Sequence, residues 1–172
     1  MYYSKRVAAL SPSATFAMAQ RSTELKAEGI YIFNMSVGEP GFNTPEHIVK
    51  AASGAMEAGF TRYSPVPGFL SLKKAICGKL LRENGLTYKD DEILVSNGAK
   101  QSICNAVMAL VDDVDEVIIP APYWVSYPQM VLLAGGKPVY IPTSIENGFK
   151  ITAEQLESAI TPKTKLLIIC SP

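Results

Sequence analysis

Histidine and tryptophan each occur once among these 172 residues and cysteine three times, and each scarcity removes a class of function. His47 has no second histidine to share a metal with, and no serine- or cysteine-centred motif to serve as base, so it reads as a surface residue. Cys77, Cys104 and Cys170 are odd in number, far apart and set among apolar neighbours, with no Cys-x-x-Cys pair. They are expected to be free, buried thiols, and no metal site is expected.

An excess of either charge is also missing. Sixteen basic residues cancel sixteen acidic ones without forming a stripe that could track phosphates, which excludes a nucleic-acid partner. Long apolar runs are absent as well. Runs such as Leu166 to Cys170 are too short to span a bilayer, and Met1 to Arg6 lacks the apolar block of a signal peptide. A cytoplasmic protein acting on small molecules, without a membrane partner, is the expectation. Asp112, Asp113, Asp115 and Glu116 crowd together but lack the spacing of a calcium loop, and they are expected to form a solvated turn.

What is present is 48% apolar content, enough for one sizeable core. Ser11-Pro12 is expected to open a helix that ends at Gly29, followed by a short strand from Ile30 to Phe33. Thr44-Pro45 opens a second helix with Ile48, Ala52, Ala55 and Met56 on one stripe. Phe69, Leu72, Ile76 and Leu80 mark a third, ending near Asn84-Gly85. From Glu92 the pattern changes. Ile93 to Val95, Val117 to Ile119, Val139 to Ile141 and Leu166 to Ile169 are apolar runs suited to strands covered on both faces. Helices are expected between them over Ala99 to Leu110, Ser126 to Ala134, and from a capping box at Thr152-Ala153-Glu154-Gln155. Strand and helix alternate, so the class is α/β.

Two places could carry chemistry. Ile93 to Gln101 runs from strand through Ser96-Asn97-Gly98 into a helix start, where amide groups and the helix dipole favour an anion and small residues admit it. Gly98 and Ala99 would allow close approach and Lys100 would add charge, although a capped helix with a surface lysine has the same sequence. Pro120-Ala121-Pro122-Tyr123-Trp124 follows a strand directly, at the end where open α/β sheets bind ligands. Trp124 offers a flat face for a ring, or else a core side chain.

Four blocks then decide between these alternatives: Ser36-Val37-Gly38-Glu39-Pro40, Tyr63-Ser64-Pro65-Val66-Pro67-Gly68, Ser96 to Gln101, and Pro120 to Pro128. In order and spacing they resemble class I aminotransferases, fold type I enzymes dependent on pyridoxal 5'-phosphate, nearest the bacterial aspartate aminotransferase subgroup. The resemblance runs from about Arg6 to the end of the chain. It implies an incomplete large-domain sheet of the aspartate aminotransferase type, with residues 1–43 as N-terminal arm and small-domain segment and 44–172 as the first part of the cofactor-binding large domain. Gly98, Ala99 and Lys100 would bind the cofactor phosphate, Trp124 would stack on its ring, and Tyr63 would reach the phosphate of the other subunit in a homodimer. Gly38, Trp124 and Lys100 would meet the substrate, Lys100 at its distal carboxylate, and Ser13-Ala14-Thr15 would border that pocket.

The reaction implied transfers the amino group of L-aspartate to the 2-oxo acid 2-oxoglutarate, giving oxaloacetate and L-glutamate. In the family the counterpart of Ser171-Pro172 is followed by Asn-Pro-x-Gly. Further on come an aspartate for the pyridine nitrogen, the Schiff-base lysine and an arginine for the α-carboxylate. The chain is therefore expected to be an N-terminal portion with no catalytic residue of its own, inactive alone, poorly soluble and exposing apolar sheet edges. A non-catalytic scaffold and a carbon-sulfur lyase of the same fold type are the alternatives. Three positions depart from relatives: Gly41 replaces an acidic residue, Val114 a turn glycine, and Ser11 a lysine found in enzymes that also use prephenate.

Overall fold

The computed structural model describes residues 2–35 and 38–171. Ser36 and Val37 of the first block, and Pro172, lie outside them. Two compact units result, one of Met1–Val37 with Ile103–Pro172 and one of Gly38–Ser102.

The first unit holds the sheet. Helix α1 (Lys5–Ala8) and helix α2 (Ala14–Ala27) come first. The cap of α2 is Ser13, whose hydroxyl accepts the Phe16 amide at 3.4 Å. The expected cap, Ser11, instead donates its amide to the Gln129 side chain at 3.0 Å. Gly29 ends α2 in the left-handed region, with its amide on the Lys26 carbonyl and that of Ile30 on Leu25. The strand expected over Ile30 to Phe33 does not form. Among the described residues no ladder pairs with it, and exposed Tyr31 and Phe33 meet edge to face at 5.0 Å.

Strand β1 (Glu116–Ala121), helix α6 (Ser126–Ala134), strand β2 (Lys137–Pro142), helix α7 (Ala153–Ala159) and strand β3 (Thr164–Leu167) follow as two parallel crossovers. The sheet order is β2-β1-β3, so β1 is central. Alternation sends Val117 and Ile119 to one face and Ile118 to the other, and all three are fully buried, as an uninterrupted apolar run requires. On the Val117 face they pack with Tyr127, Met130 and Val131 of α6 and with Val107 and Val111 at the end of helix α5 (Ala99–Leu110). The boundaries of α5 and α6 coincide with those expected from apolar spacing, and Thr152 and Gln155 form the capping box of α7.

The second unit contains helix α3 (Glu46–Glu57), helix α4 (Leu70–Asn84) and a single 3-10 turn at Asp90–Glu92. The apolar stripe Ile48, Ala52, Ala55 and Met56 is exposed. Ile93 to Val95 is extended but joins no ladder among the described residues, contrary to expectation; its one long-range backbone bond runs from the Val95 amide to the Pro67 carbonyl at 3.1 Å. Gly68 makes this approach possible. It has φ +99°, and an added Cβ would stand 2.7 Å from a methyl of Val95.

The cysteines depart from the buried thiols expected: Cys77 and Cys104 are half-buried and Cys170 is exposed. His47 is exposed, as its isolation in the sequence suggested. No helix among the described residues is long and apolar enough to cross a membrane, and none of their His, Cys, Asp and Glu side chains form a metal-holding group.

Candidate functional site

The start of α5 is built on Gly98. At φ +81° it turns the chain sharply out of the extended segment, with its amide on the Ser96 carbonyl at 2.9 Å. Its own carbonyl receives the amides of Gln101 at 3.1 Å and Ser102 at 3.4 Å, so Gly98 occupies the cap position of α5. The Gln101 side chain accepts the Asn97 amide and ties the turn down. Apart from Gly98 itself and its chain neighbours, no atom lies within 4 Å of the point where a Cβ on Gly98 would stand. A left-handed glycine, open space and first-turn amides at the positive end of a 12-residue helix together suit an oxyanion. Ala99 and Lys100 follow directly, both exposed.

The second place lies at the carboxyl ends of β1 and β3 in the first unit. Pro120, Pro122, Tyr123 and Trp124 form one wall of a cavity of about 710 Å³, Ile169 to Ser171 another, and Gly148 to Ile151 the third. The Ala121-Pro122 peptide is cis. Trp124 remains 37% exposed, so it is a cavity wall and not a core side chain. The ring of buried Tyr127 meets it edge to face at 5.5 Å, and the Tyr127 amide donates to the Trp124 carbonyl at 3.0 Å. Burial pushes the Tyr127 hydroxyl above its ordinary range, and Cys170 beside it adds to the effect. Tyr123 stacks on Tyr140 at 5.2 Å; burial first, and then Tyr123, raises the Tyr140 hydroxyl.

Tyr63 stands fully exposed beside Thr61 and Arg62. Gly38 is exposed, with open space where a Cβ would point. Gly38, Tyr63, Gly98, Ala99 and Lys100 belong to the second unit and Trp124 to the first.

Two features escaped the sequence reading. Glu116 is not in a solvated turn: it is buried at the head of β1 and bonded to Lys137 and Thr161, while Asp112 and Asp113 remain exposed. Alternation could have revealed this, since Glu116 directly precedes the buried run. The third cavity wall was also missed, because Phe149 arrives there through a left-handed backbone (φ 57°) that an aromatic residue does not advertise.

Comparison with known proteins agrees with this geometry. Residues 30–172 match the family model described as aminotransferase class I and II. Over all 172 residues the chain is 54% identical to the aspartate/prephenate aminotransferase of Nitrosomonas europaea and 51% identical to the aspartate aminotransferase of Geobacillus stearothermophilus. It spans 43% and 44% of the lengths of those relatives. The crystal structure of the Rhizobium meliloti aspartate aminotransferase superposes with a TM-score of 0.92 at 46% identity, over 97% of this chain and 42% of that one. The Thermus thermophilus aspartate aminotransferase solved with maleate gives 0.93 at 44% identity, over 97% and 44%. The α/β architecture is thus that of the aspartate aminotransferases, with part of their sheet, and the chain belongs to the class I and II aminotransferase family.

Proposed function

We propose that this chain supplies the phosphate seat and one ring-side wall of a pyridoxal-phosphate-dependent aspartate aminotransferase. The whole protein would convert L-aspartate and 2-oxoglutarate to oxaloacetate and L-glutamate. The observation that carries the reading is Gly98, whose left-handed backbone and empty Cβ position precede a full-length helix. Taken each by itself, Gly98 leaves open space for a phosphate and Trp124 presents a half-open indole to an aromatic ring, so the residues present suit the two parts of a phosphorylated aromatic group.

In that site the start of α5, with Gly98, Ala99 and Lys100, holds the phosphate dianion by amide donors, helix dipole and charge. Trp124 holds the ring plane, and Tyr127 behind it keeps the indole from rotating. Pyridoxal phosphate, when bound, supplies an electron-accepting ring that stabilises negative charge at the substrate Cα. Gly38 offers its backbone to the α-carboxylate and Lys100 its ammonium to the distal carboxylate. The relatives named for aspartate, and the one solved with the dicarboxylate maleate, support an acidic substrate. Tyr63, exposed on its connector, reaches the phosphate of a second subunit in a homodimer. Residues 1–43 form the arm and small-domain segment, residues 44–172 begin the large domain, and a cytoplasmic setting goes with the reading.

The sole tryptophan makes a direct test possible. Pyridoxamine 5'-phosphate, which cannot condense with surface lysines, is titrated against Trp124 emission. Saturable quenching that weakens at least tenfold in Gly98→Val, equivalent to about 1.4 kcal/mol, supports the phosphate seat. Unsaturable quenching, or the same affinity in Gly98→Val, overturns it.

A further inference from the structure

Glu116 opens β1 and is 8% exposed, and its polar contacts reach toward both neighbouring strands. Its Oε1 accepts from the Lys137 ammonium at 3.0 Å, where β2 begins. Its Oε2 accepts from the Thr161 hydroxyl at 2.7 Å, and its amide donates to the Lys163 carbonyl at 2.8 Å, both just before β3. Thr161 is itself held in place: its oxygen accepts the Lys163 amide at 3.1 Å, and its amide donates to the Thr164 hydroxyl at 2.8 Å. One carboxylate therefore grips the amino ends of both strands that flank β1.

The β1–β3 ladder contains an irregularity at this point. Glu116 faces Thr164, but Val117 faces Leu166, so Lys165 is the extra residue of a bulge. Beyond it Leu167 faces Ile118 and the Ile168 amide donates to the Ile118 carbonyl at 2.9 Å. This register turns Leu166 and Ile168 toward the Val117–Ile119 core cluster. A slip of one residue would exchange them for Lys165 and Leu167 and would shift every residue after β3 by one position. Ile169, Cys170 and Ser171 are among those residues, and they line the same cavity as Trp124.

We infer that Glu116 is a positioning residue: by holding Thr161 and Lys137 it sets the bulged register of β3, and so decides which side chains face Trp124 at the opposite end of the sheet. The inference rests on the Trp124 reading only for its consequence in catalysis. Its test is run without cofactor, so either can fail while the other stands.

The full chain is compared with Thr161→Val, Thr161→Ser and Glu116→Gln at neutral pH. Two readouts report the far end of the sheet: the iodoacetamide rate at Cys170, resolved from Cys77 and Cys104 by peptide mass, and the Trp124 emission maximum. Thr161→Val and Glu116→Gln are expected to unfold cooperatively, to change the Cys170 rate at least about threefold through a locally altered strand, and to shift Trp124 emission. Cys77 should keep its rate. Thr161→Ser, which restores the hydroxyl, should match the wild type in both readouts. If Glu116→Gln does not fold, the threonine pair decides alone. Wild-type Cys170 rate and Trp124 emission in a folded Thr161→Val would overturn the inference, since losing a contact of a carboxylate that merely stabilised the fold would lower the unfolding midpoint and leave the cavity unchanged.

Discussion

Val114 sits where the backbone asks for a residue without a Cβ. Its φ is 73°, within a turn closed by the Asp115 amide on the Asp112 carbonyl and by the Asp115 carboxylate on the Asp112 amide. A β-branched side chain is the least suited to that region, and the left-handed backbone costs an L-residue roughly 1–2 kcal/mol. A glycine would meet the demand of this turn without strain. Val114→Gly is expected to raise the stability of the chain by about 1 kcal/mol after the entropy of a more flexible unfolded chain is deducted. The chemical-denaturation midpoint measures it, and an unchanged or lower midpoint would show that packing around the Val114 methyl groups outweighs the strain. Burial decided two other residues: Trp124, whose neighbours in sequence suggested two environments, and Glu116, which was expected in a solvated turn and is buried.

Among the elements, the sheet depends on charge at one end and on apolar packing in its middle. The Glu116 carboxyl is held below the usual range, first by the Thr161 hydroxyl, then by Lys137, with Lys163 adding charge and burial opposing. A carboxyl lowered in the fold stabilises it fully above the ordinary value of about 4.3 for glutamate, where both folded and unfolded chains are ionised. As pH falls below that value the unfolded chain takes up the proton first, and the contribution is gone once pH has passed the lowered value of the folded chain. The gap in denaturation midpoint between wild type and Thr161→Val should thus be constant from pH 7 to about 5 and should close in more acid solution. A gap of equal size at pH 3 would mean that Thr161 acts by packing and not through the carboxylate.

Helices α5 and α6 matched their sequence boundaries, and α7 its expected start, because their signals are local: an apolar stripe, a glycine past the end, a capping box. The segments 30–33 and 93–95 have the composition of strands and find no ladder partner among the described residues, since a strand exists only where another strand lies beside it.

For the molecule as a whole, the chain spans 43–44% of the two curated relatives compared, and a large share of its apolar side chains, including Phe16, Tyr31, Phe33 and Met56, is exposed. Of the groups proposed for the reaction, the residues here hold and orient, and none is assigned the transfer of the Cα proton. The 172 residues by themselves are expected to show no turnover of L-aspartate with 2-oxoglutarate, even with saturating pyridoxal phosphate. A coupled assay for oxaloacetate on material freed of host aminotransferase checks this, and cofactor-dependent turnover lost in Gly98→Val would refute it.

The family, the α/β class, the helix that begins after Gly98 and the position of Trp124 beyond a strand end were all determined by the sequence alone. Each is written in contiguous residues, as a period, a cap or an ordered block. The tertiary structure alone decided that Glu116 is a buried junction, that β3 carries a bulge, that Ile30 to Phe33 stays outside the sheet and that Phe149 walls the Trp124 cavity. Where these outcomes form contacts they join residues more than twenty positions apart, as Glu116 meets Lys137 and Thr161 and Val117 meets Leu166, and there register and burial are settled by which surfaces meet and no local pattern records the choice.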